Sequence, residues 1–118
     1  MLTLPASVRI YLATGPVDLR KAIDGLGALA AARGHDVFSG HLYAFTSRKG
    51  DRVKILVWDR GGFVLYYKRL ERGRFRLPEI APGAEEVQLD ATQLAMLLDG
   101  IDVKRVKAPE RWQPAKKK

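Results

Sequence analysis

Between His41 and Arg76 the chain places ten Lys or Arg residues, at positions 48, 49, 52, 54, 60, 68, 69, 72, 74 and 76, against Asp51, Asp59 and Glu71. This stretch therefore holds +7 of a formal net charge of +8. Cations at this density suit one kind of chemistry, the neutralisation of phosphates, which gives affinity for nucleic acid with little reading of sequence. The candidate DNA-binding residues are Lys54, Lys68, Arg69 and the row Arg72, Arg74 and Arg76, with Arg20 and Lys21 extending the surface from an earlier segment. The same cations have an ordinary reading, because antiparallel sheets solvate one face and Lys and Arg protect edge strands.

Other chemistry is thinly provided. His35 and His41 flank a predicted connector with only Asp36 near, too few ligands for a metal. A metal-dependent nuclease would need clustered carboxylates. Asp51 and Asp59 instead fall in turns, where Asp is favoured for backbone reasons, and Asp18 reads as a helix cap. There is no phosphate-binding G-x-x-x-x-G-K loop, and Ser7, Ser39 and Ser47 lack a nucleophile-elbow context. No catalytic residue, metal site or cofactor is expected.

The elements that must position the cations follow from the hydrophobic pattern. His41–Ser47, Arg52–Trp58 and Phe63–Leu70 read as strands, joined by the short Gly-containing turns Arg48–Asp51 and Asp59–Gly62. Loops this short join antiparallel neighbours, so the segment is a β-meander, and Glu71-Arg72-Gly73 turns it towards a fourth strand at Arg74–Leu77. Alternation places Arg52, Lys54, Leu56 and Trp58 on one face, with Val53, Ile55 and Val57 on the other. Pairing across Asp59–Gly62 sets residue 58 opposite about residue 63 and residue 54 opposite about residue 67, which brings Lys54 and Lys68 close. The expected sheet has one apolar face and one basic, partly aromatic face.

Before the meander, Ser7–Ala13 alternates as a half-buried strand, and a helix follows to about Arg33, starting at Gly15-Pro16 or at Asp18. It buries Leu19, Ile23, Leu26 and Ala30 and ends at Gly34. After Pro78, Glu85–Leu89 is a short strand. Asp90 to Gln93 resembles a capping box opening a helix that buries Leu94, Leu97 and Leu98 and ends at Gly100. The fold class is α+β, an antiparallel β-meander sheet with two α-helices packed on it. Residues 1–103 form a single domain, and 104–118, with seven bases and one acid, form a mobile basic tail.

Length and composition agree with this reading. A chain of 118 residues, 47% hydrophobic and 29% charged, builds one folded domain. The absence of cysteine excludes disulfides and fits a reducing cytoplasm, and no apolar run reaches the length of a membrane span. A pI near 10.0 favours an anionic partner, with DNA or RNA first.

The order of motifs is more specific than the charge. VRIYLATGPVDLRKAIDGL, then FSGHLYAF, then RVKILVWDRGGFVLYYKRLERGRFRLP, then LDATQLAMLLDGID resembles a family of small accessory transposition proteins. This is TnpB of the insertion-sequence transposons that also encode TnpA and a DDE transposase, TnpC, and not the RNA-guided nuclease of the same name. The resemblance runs from about Val8 to Asp102. It departs at Val17, where the family often has a polar helix cap, and at Leu77, where it often has Trp. The resemblance implies a protein that acts beside the transposase. Joined to the charge, it leads to a non-enzymatic accessory factor that binds DNA through a basic sheet and tail and helps assemble the transposase complex. The alternative is a module that docks the transposase without touching DNA.

Overall fold

The computed structural model describes residue 5 and residues 7–100, so the expected tail and Asp102 lie outside the described residues. Seven elements follow in order: β1 (Ile10–Ala13), α1 (Ile23–Ala32), β2 (Leu42–Thr46), β3 (Arg52–Asp59), β4 (Gly62–Arg69), β5 (Glu86–Leu89) and α2 (Ala91–Leu98). The strands form one sheet in the order β4-β3-β2-β1-β5.

The meander is present with the expected registers, Trp58 opposite Phe63 and Lys54 opposite Tyr67. Its second hairpin closes through Arg60 and Gly61, whose φ values of 47° and 85° match the left-handed pair of a two-residue turn. The expected wholly antiparallel sheet is corrected by β1, which pairs parallel to β2 from Ile10–Leu42 to Leu12–Ala44. The reason is the connection between them. It is long and helical, and a crossover of that kind returns the chain beside its first strand in the same direction. The strand expected at Arg74–Leu77 is also absent. That segment is irregular, although its alternation persists, with Phe75 buried between exposed Arg74 and Arg76.

A further correction concerns the faces of the sheet. Neither is left bare and basic. Ile10, Leu12, Leu42, Ala44, Val53, Ile55 and Leu89 pack under Leu94, Leu97 and Leu98 of α2, joined by Phe75. On the opposite face Ala13, Tyr43, Phe45 and Leu56 pack under Leu26 and Ala30 of α1. β2, at the centre, is buried along its whole length, as a strand covered on both sides must be.

The helices differ in how they begin. Asp90 caps α2 by accepting from the Gln93 backbone N–H at 2.7 Å, while the Gln93 side chain accepts from the Asp90 N–H at 2.9 Å, a complete capping box. α1 has no side-chain cap and starts later than expected, at Ile23. Asp18 instead closes a turn of its own. Its carboxylate accepts from the Arg20 backbone N–H at 3.0 Å and its carbonyl from the Lys21 N–H at 3.1 Å. Arg20 and Lys21 therefore precede the helix rather than occupying its first turns.

Candidate nucleic-acid interface

Antiparallel pairing brings the end of β2, the start of β3 and the end of β4 to one end of the sheet, with Thr46 opposite Val53 and Arg52 opposite Arg69. The β2–β3 turn is held locally. Gly50 N–H donates to the Ser47 carbonyl at 3.0 Å, and the Ser47 hydroxyl to Asp51 at 3.2 Å. The chain leaving β4 then folds back onto this turn. Leu70 N–H donates to the Asp51 carbonyl at 2.7 Å and Phe75 N–H to the Gly50 carbonyl at 2.8 Å. Phe75 is buried in the core beneath α2, which turns Arg74 and Arg76 outward. The stem of Arg74 lies 3.6 Å from where a Cβ on Gly50 would stand, and Gly50 has a φ of 77°. The left-handed backbone alone makes this a place for glycine, since a Cβ there would meet Arg74 only at ordinary contact distance.

Nine Lys or Arg residues, at positions 20, 21, 48, 49, 52, 69, 72, 74 and 76, gather at or beside this end, all exposed, against Asp18, Asp51, Glu71 and Asp99. Two depressions lie among them. One, of about 510 Å³, is lined by Arg20, Arg48, Lys49 and Arg52 with Asp18 and Asp51. The other, of about 640 Å³, is lined by Arg72, Arg74 and Arg76 with Asp99 and Gly100. The contact of Arg74 with Gly50 links the turn that borders the first to the segment that borders the second.

The eight residues expected from the sequence separate into three groups. Lys54 and Lys68 do not meet, which corrects their expected closeness. Lys68 pairs with Val53 and therefore projects towards α2, whereas Lys54 projects towards α1. Each ammonium is held by backbone carbonyls. Lys54 donates to Leu19 at 2.7 Å and to Lys21 at 3.0 Å, pinning the irregular run before α1. Lys68 donates to Leu98, placing a cation at the end of α2, which has no basic residue in its own last turn.

Arg20 and Arg69 form the second group, paired with neighbouring acids. Arg20 grips Asp18 with bonds of 2.8 to 3.1 Å, and Arg69 reaches Glu71 at 3.3 Å. Hydrogen bonds from the Arg20 side chain, then from its backbone N–H, hold the Asp18 carboxyl well below the usual carboxylate range; the Arg20 guanidinium is correspondingly raised. The third group, Lys21, Arg72, Arg74 and Arg76, has no ion pair among the described residues.

Three cations missing from the candidate set belong to this end: Arg48, Lys49 and Arg52. The turn containing Arg48 and Lys49 was legible, but nothing local announced that the chain after β4 would fold onto it. The alternation of Arg74, Phe75 and Arg76 was the available signal, since burial of Phe75 fixes where both arginines go. Arg52 faces Arg69 across the β3–β4 ladder, and each has a neighbouring acid, Asp51 at 4.0 Å and Glu71 at 3.3 Å.

The histidines have structural partners. His35 Nε2 lies 2.8 Å from both Glu86 carboxylate oxygens, and His41 Nδ1 accepts from the Arg9 backbone N–H at 2.9 Å. Among the described residues no group of three or more His, Asp or Glu is placed to hold a metal ion. No helix there is long and apolar enough to cross a membrane.

Over residues 8–108 the chain matches the family model described as IS66 Orf2 like protein. It is similar to the uncharacterized protein y4jC of Sinorhizobium fredii (strain NBRC 101917 / NGR234), 34% identical over 110 residues and 92% of each chain. It is also similar to the uncharacterized protein y4hO of the same organism, 36% identical over 121 residues and 98% of each chain. No solved structure matches. With a family match over most of its length and relatives aligned nearly end to end, this chain belongs to the IS66 Orf2-like family, whose role is accessory to transposition.

Proposed function

We propose that this protein is a non-enzymatic accessory factor that binds DNA, at element ends or target, through the basic end of its sheet and thereby helps assemble the transposase complex. The observation that carries the reading is the fold-back of Leu70–Phe75 onto the Ser47–Asp51 turn, which draws Arg48, Lys49, Arg72, Arg74 and Arg76 onto one surface. These side chains are exposed, and among the described residues none of the five forms an ion pair. Their charge is therefore available to phosphates. Contacts of this kind position a protein on DNA without specifying sequence, a task suited to a factor working beside a sequence-reading enzyme. Lys54 and Lys68 act one layer behind, by fixing the elements that present the surface.

The test is binding of DNA to the purified protein as a function of salt. Phosphate-driven affinity falls steeply, with a slope of log affinity against log salt close to the number of phosphates contacted. Replacing Arg74 and Arg76 together with Ala flattens that slope by about two at most and weakens all sequences alike. A double variant that folds and keeps both affinity and slope would transfer the role to protein docking. Capture of the sibling transposase that survives nuclease treatment would identify that contact directly.

A further inference from the structure

The face of β4 turned towards α1 carries Phe63, Leu65, Tyr67 and Arg69 in succession, and Arg69 lies beside Arg52 of β3. Read along the strand, this track changes from aromatic to cationic over roughly 20 Å, and its cationic end is the surface described above. α1 covers Phe63 and Leu65 only partly and leaves Tyr67 50% exposed. At the other end Phe38, 59% exposed, stands beside Phe63 and Trp58.

Both exposed rings are held from behind. Lys54 Nζ, itself fixed by two carbonyls, stands 5.2 Å from the centroid of the Tyr67 ring. Phe38 packs edge-on against Trp58 at 5.0 Å and tilted against Phe63 at 5.5 Å, and its backbone N–H donates to Asp36 at 3.0 Å. Rings held by neighbours yet 50% and 59% exposed can serve as preformed stacking platforms. Platforms in line with cations suit a chain of planar bases on a phosphate backbone. In an undistorted duplex the base faces are already stacked, so these rings could stack there only by unstacking a base step, which costs a few kcal/mol.

We propose that the Phe38–Tyr67 track binds single-stranded DNA, with bases stacking on Tyr67 and Phe38 while the backbone is held from Arg69 and Arg52 into the basic end. This rests on the reading of that end as a DNA-binding surface and adds which form of DNA it prefers. Tyr67 lies four positions along β4 from Phe63, roughly 13 Å, a span covered by a few nucleotides.

The experiment measures anisotropy of the full-length protein with a labelled mixed-sequence oligonucleotide, as a single strand and as the duplex of the same sequence. The wild type is expected to favour the single strand by about tenfold or more. Tyr67→Leu with Phe38→Leu, which keeps apolar packing and removes both rings, is expected to weaken single-strand binding by at least about fivefold per ring. Duplex affinity and salt slope stay unchanged, and Tyr67→Trp restores binding at that position. Arg74→Ala with Arg76→Ala weakens both forms. Equal or tighter binding of duplex by the wild type, or unchanged single-strand affinity in the ring variants, overturns the single-strand inference and leaves the phosphate reading standing. Binding of neither form by the wild type overturns both.

Discussion

The two lysines inside the strands and the arginines beyond them carry the same charge and lie close in sequence, yet the fold uses them differently. Lys54 and Lys68 rise from paired strands, Lys54 beneath the irregular run before α1 and Lys68 beneath the C-terminal end of α2, and each is held by backbone carbonyls there. Arg72, Arg74 and Arg76 leave an irregular segment anchored by buried Phe75, by partly buried Leu70 and Leu77 and by backbone bonds from Leu70 and Phe75, and their side chains are exposed. The lesson is that charge density marks a basic stretch without saying which of its cations the fold leaves exposed. The two strand lysines are taken up by backbone carbonyls, whereas the three loop arginines are exposed and form no ion pair among the described residues.

The largest effect that could break this comparison is at Lys54. Replacing it with Ala removes two charge-assisted bonds and leaves carbonyls of the run before α1 unpaired, so urea unfolding should show a loss of about 2 kcal/mol with an unchanged m-value. Lys68→Ala should cost about 1 kcal/mol through the end of α2. If either variant unfolds at the wild-type midpoint and loses DNA binding instead, the two groups of cations are not distinct.

Next in size is the opposite signature at the loop. Arg74→Ala with Arg76→Ala should leave stability within about 0.5 kcal/mol while reducing DNA affinity and flattening its salt slope. A double variant that unfolds early would mean that these arginines support the turn they cross.

Arg60 is the control, a cation in the meander but at the far end. It holds a φ of 47° in the β3–β4 turn, where Asn is preferred over Arg. Arg60→Asn should raise stability by about 0.5 kcal/mol and leave the salt slope unchanged, although it removes a positive charge. A fall in slope would show that net charge, not its location, governs binding.

The smallest effect concerns Asp18. Because Arg20 lowers its folded pKa, any stabilisation from the pair is present above the unfolded carboxylate value and is lost only as pH falls through the depressed folded value. Both side chains are well exposed, so the contribution is slight. Carboxyl NMR should find Asp18 ionised at pH 3. Asp18→Asn should release Arg20 and steepen the salt slope by one at most; an unchanged slope would place Arg20 outside the surface.

Much of the fold was legible because it is local. The turn at Arg60-Gly61, the registers Trp58–Phe63 and Lys54–Tyr67, the capping box of Asp90 and Gln93 and the stripe Leu94, Leu97 and Leu98 each depend on residues a few positions apart. The α1 boundary was not, because Asp18 had two local options of similar quality, and Lys54, from a distant strand, stabilises carbonyls of the non-helical one.

What the sequence determined by itself, then, was five strands and two helices, though not the irregular course of Arg74–Leu77, together with the family and the stretch where positive charge concentrates, since these are written in neighbouring residues. The tertiary structure alone decided that β1 runs parallel to β2, that helices cover both faces of the sheet, and that Arg48 and Lys49 share a surface with Arg74. Those outcomes depend on which distant segments meet. A long side chain such as Lys54 has several possible partners in the unfolded chain, and only packing determines which carbonyl or solvent its charge will face.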